Sequence, residues 1–154
     1  ADESDGTFLH LGGDVAVITN IDEDHLDFWQ DLDAIEAGFD QFVAQAASAV
    51  VCIDDPRLDG ATDPRAERVA AAHEAMTVGE SPSARLQVHS VEVERLETRF
   101  GLRLDGTEIG PVTVGTPGRH HARNAAVSIA VALELGVEAA LAAAIAICDA
   151  VLKL

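Results

Sequence analysis

The sequence predicts an α/β fold: a mostly parallel sheet with flanking helices, plus a small antiparallel β meander. Two observations carry this reading. Residues 14 to 80 alternate short apolar, β-branched runs with stretches of helical periodicity, the pattern of parallel strands covered by helices. Residues 95 to 104 then switch to an alternation of period two and run into Asp105-Gly106, a tight hairpin signal. With 154 residues, 48% of them hydrophobic, the chain is long enough for a core of its own, and a single domain over 1–154 is expected.

The elements follow in order. Asp14 to Asn20 (D-V-A-V-I-T-N) reads as a buried strand that ends in polar residues. Ile21 to Phe28 is acidic and irregular. Asp33 with Glu36 resembles a capping box, so a helix is expected from there, with Ile35, Phe39, Phe42, Val43 and Ala46 on one face. Ala49 to Ile53 is a second buried strand, stopped by Asp54-Asp55-Pro56. A helix from about Pro64 to Glu74 and a short strand, Ala75 to Val78, complete the β/α part, residues 1–80. In the meander, residues 85–116, Leu86 to Glu94 pairs alongside a strand with Leu96, Thr98, Phe100, Leu102 and Leu104 on its apolar face. Thr107 to Thr116 returns after the turn. The helical part, 119–150, opens with a helix from about His121 to Leu135, stops at Gly136, and restarts near Val137.

Composition excludes several function classes. There are 27 acidic residues against 10 Lys and Arg, a net charge of −17, and residues 1–55 hold no Lys or Arg at all. Such a field repels phosphate backbones, so no nucleic-acid partner is expected; it could favour divalent cations, or most of the carboxylates could simply form a solvated acidic surface. No apolar run is long enough to span a bilayer, and no signal peptide opens the chain, so neither a membrane nor an export route is expected. Cys52 and Cys148 lie far apart inside apolar runs, as buried thiols of a cytoplasmic protein do. The first residue is not Met, and the chain is expected to be a segment of something longer.

Three clusters hold chemistry-bearing residues. The first is Asp2-Glu3-Ser4-Asp5-Gly6. The second, Thr19-Asn20-Ile21-Asp22-Glu23-Asp24-His25-Leu26-Asp27, follows a buried strand, and ligands of open α/β sheets bind outside the carboxyl ends of strands. A His among three Asp there could bind a divalent metal, cap a helix or pair with an acid. The third, Gly118-Arg119-His120-His121-Ala122-Arg123-Asn124, opens a helix, where backbone N–H groups and Arg119 could face an anion, or the two His could simply pack at the helix entry.

In this order and spacing the clusters resemble the central, ATP-binding domain of the Mur ligase family, the amide-forming enzymes of peptidoglycan precursor synthesis. The family reads E-A-D-E-S-D-[AG]-[ST]-F-L, then a strand, then T-N-I-x-x-D-H-[LM]-D, and later P-G-x-H-N-x-x-N. The matching residues are Ala1 to Leu9, then Thr19-Asn20-Ile21 with Asp24-His25-Leu26-Asp27, then Pro117-Gly118-Arg119-His120 and Asn124. The A-D-E-S-D form is most similar to the branch that joins L-alanine to UDP-N-acetylmuramate. The resemblance implies ATP and Mg²⁺ as cofactors, and UDP-N-acetylmuramate, L-alanine and ATP as the small-molecule partners. It implies that His25 is the catalytic metal ligand. It places Asn124, with Arg119, His120 and His121, at the nucleotide, and leaves Asn20, Asp24, Asp2 and Glu3 in supporting positions.

The chain also departs from the family pattern. The P-loop that lies upstream in the family is absent, and the only Lys is Lys153. The Glu before A-D-E-S-D would immediately precede Ala1. His121 stands where the family has the first Asn of N-x-x-N, and the family's amino-acid-binding domain does not follow. The expectation is an incomplete middle domain, inactive alone, of an ATP-dependent ligase. The alternative is a non-catalytic α/β module that binds a nucleotide or a divalent ion. A metal-dependent hydrolase built on Asp22, Asp24, His25 and Asp27 is a third reading.

Overall fold

The computed structural model describes residues 4–55, 58 and 75–138. The chain divides into two compact units, Ala1–Ala75 and Met76–Leu154.

In the first unit a 3-10 turn, Thr7–His10, precedes strand β1, Val15–Ile18. Helix α1, Leu32–Ala44, leads to strand β2, Ser48–Cys52. β1 and β2 pair in parallel, Val15 opposite Ser48 and Ile18 opposite Val51, so both chains leave the pair at the same end. β2 is buried from Ala49 to Cys52, as its unbroken apolar run predicts. α1 starts two residues earlier than its sequence suggests. Its N-cap is Asp31, whose carboxylate accepts from Ala34 N at 2.9 Å, and Asp33 lies inside the first turn. The Asp33/Glu36 pair therefore does not form the box, because Asp31 already satisfies the third helical N–H. Of the expected apolar face, Ile35 and Val43 are buried and Phe39 and Phe42 half-buried. Ala46 falls beyond the helix end.

Phe8 ties the opening segment to this helix. It is buried, with its ring centroid 5.2 Å from Phe39 and 5.4 Å from Phe42. Gly6 has φ 68°, a left-handed conformation, and a Cβ there would stand 2.9 Å from the Phe28 ring. Both conditions call for glycine.

In the second unit, β3 (Met76–Gly79) pairs in parallel with β4 (Leu86–Val93), and β4, β5 (Thr98–Leu104) and β6 (Thr107–Val114) form the antiparallel meander. The parallel connection spans only Glu80 to Arg85. It succeeds because just the end of β3 meets the start of β4, at Val78–Leu86 and Gly79–Gln87, so the chain has little distance to climb back. Asp105 (φ 47°) and Gly106 (φ 82°) turn the β5–β6 hairpin with both central residues left-handed, the type I′ geometry that matches strand twist. In β5, Thr98, Phe100 and Leu102 are buried and Arg99 and Arg103 exposed. Leu96 does not join them: it precedes the strand and is 71% exposed. The alternation reaches back across the Glu94–Glu97 reversal, where strand pairing has already ended.

Helix α2, Arg119–Glu134, packs on β3, β4, β5 and β6 through Ala122, Ala126, Val127, Ile129 and Ala130. It begins at Arg119 rather than His121 and ends before Gly136, whose φ is 82°. No helix among the described residues is long and apolar enough to cross a membrane. The helix expected over Pro64–Glu74, Cys148, and the chain after Glu138 lie outside the described residues.

Candidate functional site

A cavity of ≈ 340 Å³ opens where β1 ends. Its polar wall is the segment just past the strand, Thr19, Asn20, Asp22, Asp24 and His25, and its apolar wall is Trp29 with Ile35 and Phe39 of α1. Five residues of the second sequence cluster therefore line one concavity at the carboxyl end of β1, the position where parallel sheets bind ligands.

His25 has φ 55°, uncommon for a residue with a side chain. Several bonds hold it there. Its N–H donates to the Asp24 carboxylate at 2.7 Å, and its carbonyl accepts from Phe28 N at 2.9 Å and Trp29 N at 3.0 Å. The imidazole remains partly exposed, with Nε2 4.0 Å from the other Asp24 oxygen. Asn20 is exposed beside it, its side-chain oxygen accepting from the Thr19 hydroxyl at 3.1 Å. From the chain just past β2, the Asp55 carboxylate accepts from Ile21 N at 2.9 Å.

The first cluster and the turn after it contact Phe28 and Trp29, which follow the second cluster. Asp5 accepts from Thr7 N at 3.0 Å, Gly6 lies against Phe28, and Phe8 stands 6.3 Å from Trp29. Asp2 and Glu3 lie outside the described residues.

The third cluster, in the second unit, surrounds the start of α2. Arg119 is ion-paired with Glu80, which neutralises the cation expected to face an anion. The His120 and His121 rings lie against each other, centroids 4.0 Å apart. Asn124 stands one turn further along, exposed, so His120, His121 and Asn124 present a continuous polar edge. Thr98 anchors this entry. Fully buried, its hydroxyl contacts Thr116 O at 2.9 Å and Gly118 O at 3.3 Å and accepts from Gly118 N at 2.9 Å. In the sequence Thr98 reads only as an apolar-face residue; the signal for its second role is its polarity at a buried position.

Among the described residues no three His, Cys, Asp or Glu side chains gather closely enough to hold a metal. A hydrolase built on Asp22, Asp24, His25 and Asp27 finds no such cluster there; Asp27 is not part of the cavity wall. The carboxylates of Asp22 and Asp24 on the cavity wall do fit Mg²⁺ held largely by a ligand's phosphates, since that ion keeps its waters and takes one or two protein carboxylates. Asp24 offers one such carboxylate at the cavity wall, beside His25.

The family model for the Mur ligase middle domain matches residues 5–132. The chain is 37% identical over 132 residues to the UDP-N-acetylmuramate–L-alanine ligase of Salinibacter ruber, covering 84% of this chain and 26% of that protein. With the ligase of the same name from Acidothermus cellulolyticus it shares 38% over 132 residues, 84% of this chain and 27% of that one. The chain thus spans about a quarter of the length of these relatives. Among solved structures, the UDP-N-acetylmuramate–alanine ligase of Thermotoga maritima superposes with a TM-score of 0.76 at 21% identity, covering 96% of this chain and 30% of that one. MurF from Acinetobacter baumannii superposes with a TM-score of 0.72 at 22% identity, covering 94% and 30%. At these identities the two structures bear on the fold, which is the α/β arrangement the sequence predicts.

Proposed function

The chain belongs to the Mur ligase family, through the middle domain of that family, and from this premise we propose that it is part of an ATP-dependent ligase joining L-alanine to UDP-N-acetylmuramate. The observation that carries the proposal is the placement of Thr19, Asn20, Asp24 and His25 around one cavity at the carboxyl end of β1. The similarity to L-alanine ligases supports the choice of amino acid.

In this reading the carboxylate of UDP-N-acetylmuramate attacks the γ-phosphorus of ATP, ADP leaves, and an acyl phosphate forms. The amine of L-alanine then attacks the acyl carbon, phosphate departs with the bonding pair, and the amine gives up a proton. Such chemistry depends on positioning and charge stabilisation more than on covalent help from the protein. Mg²⁺, when bound, neutralises phosphate oxygens. His25, with Asp24 beside it, is the group of this chain that would hold the ion, and its fixed backbone keeps the imidazole at the cavity wall. Asn124 holds the adenine, since an amide can both donate and accept, with His120 and His121 beside it. The protein is placed in the cytoplasm, where ATP and the nucleotide sugar are found.

The test is ATP-dependent phosphate release with UDP-N-acetylmuramate, L-alanine and Mg²⁺, run on the complete protein and on residues 1–154 alone. Turnover by the complete protein that requires L-alanine is expected, with none from residues 1–154. Equal turnover by both would defeat the proposal, because the phosphate-cradling loop of the family is absent from this chain. The alternative, a binding module without activity, gains support if the complete protein binds ATP but releases no phosphate.

A further inference from the structure

The segment that carries His25 is irregular, contains a non-glycine residue at positive φ, and must nevertheless present one side chain reproducibly. Its internal hydrogen bonds, His25 N to Asp24 and Phe28 N and Trp29 N to His25 O, shape the turn but do not attach it to the sheet. One tie to the neighbouring strand comes from 34 residues away, where the Asp55 carboxylate accepts from the Ile21 N–H at 2.9 Å. β1 and β2 are parallel neighbours that end together, so Asp55 stands beside the first residues after β1. Ile21 is itself 2% exposed. A carboxylate accepting from a backbone N–H in a partly buried place forms a strong, directional bond.

We infer that Asp55 is a positioning residue for His25, its carboxylate bracing the Thr19–Trp29 segment to the end of β2 so that the imidazole faces the cavity. This inference rests on the ligase reading for its effect on turnover, though the brace itself does not. Asp55 touches no reacting atom; it acts through Ile21 and the short stretch that leads from there to His25. Loss of the bond weakens the hold on the segment, and a displacement of about an ångström at a catalytic group costs on the order of 10²-fold in rate.

The chain carries its own reporter. Trp29 is the single Trp, lines the cavity, and packs against α1, where a Cβ at Gly38 would meet its ring at 2.8 Å. In residues 1–154, Asp55→Ala should red-shift Trp29 emission and raise its quenching by acrylamide, while Asp55→Asn, which keeps an acceptor oxygen, should stay close to wild type. In the complete protein, Asp55→Ala should lower kcat at least about tenfold and raise the Mg²⁺ concentration needed for half-maximal rate, with KM for ATP changed less than about threefold. Asp55→Asn should recover most of the loss. Wild-type emission and kcat in Asp55→Ala would overturn the inference, as would an Asp55→Asn variant as impaired as Asp55→Ala. If Asp55→Ala does not fold, amide exchange decides: the Ile21 N–H should be protected in the wild-type chain, and exchange as fast as at exposed Glu23 overturns the brace. A wild-type complete protein without ligase activity would count against the ligase reading alone, since the Trp29 and Ile21 measurements still judge the brace.

Discussion

The segment from Asp5 to Trp29 and the hairpin from Thr98 to Val114 are both short, and they are held in opposite ways. The hairpin closes on itself. Strand alternation, a two-residue type I′ turn and the register from Leu104–Thr107 to Thr98–Val114 are all local in sequence. The opening segment has little regular structure beyond β1 and depends on contacts from outside it: Phe39 and Phe42 against Phe8, Asp55 on Ile21. The region that carries the candidate chemistry is the one whose shape is set from elsewhere. A strained residue such as His25 persists only where its surroundings over-determine it.

Four substitutions probe this contrast, the largest effect first. Phe8→Ala removes the buried ring that joins the opening segment to α1 and should cost about 3–5 kcal/mol by chemical unfolding; a loss below about 1 kcal/mol would mean that the segment is not held by this contact. Gly6→Ala forces a Cβ toward Phe28 in a left-handed backbone and should cost about 1–3 kcal/mol, read as a lowered unfolding midpoint. Thr98→Val keeps shape but removes the hydroxyl from Gly118 N and the two carbonyls, so a loss of about 1–2 kcal/mol is expected. It should also weaken nucleotide binding in the complete protein, measured by calorimetry, because the α2 entry loses its anchor.

Asp105→Asn should have the smallest effect, under about 0.5 kcal/mol, because the Arg85–Asp105 pair is largely exposed and Asn tolerates the left-handed turn. The Arg85 hydrogen bond holds the Asp105 carboxyl below its ordinary value, burial opposes it weakly, and the Arg85 charge adds to the lowering. A depressed carboxylate stabilises the fold above its unfolded pKa of about 3.9, and that contribution fades as pH falls through the lower folded value. The Asp105→Asn substitution should remove this part of the acid dependence and leave stability near neutrality almost unchanged. A large loss at pH 7 would show the hairpin to be less self-sufficient than its register implies.

The same contrast explains what is legible in the sequence. Period-two alternation and Asp105-Gly106 point to the hairpin because its determinants are neighbours in the chain. Leu96 misleads because alternation alone does not mark where pairing stops. The start of α1 differs by two residues from the expected one because Asp31 and Asp33 are both competent caps, and only the path of the chain chooses between them. For the candidate site, the strand before Thr19 indicates where a ligand could lie, but a lone His among Asp residues is compatible with several roles. Its reading comes from motif resemblance rather than from spacing. The Asp55–Ile21 bond joins residues 34 apart and leaves no local trace. The role of Thr98 is hidden for the same reason, since its partners at Thr116 and Gly118 follow a whole strand later.

The central claim, that the His25 segment serves the reacting phosphate, is tested most directly by steady-state kinetics of His25→Ala in the complete protein at saturating Mg²⁺, with ATP varied and L-alanine and UDP-N-acetylmuramate saturating. A group that stabilises charge developing in the transition state should, when removed, lower kcat by about 10²–10³-fold while KM for ATP moves only slightly. Near-normal kcat, or a defect confined to KM, would contradict the account.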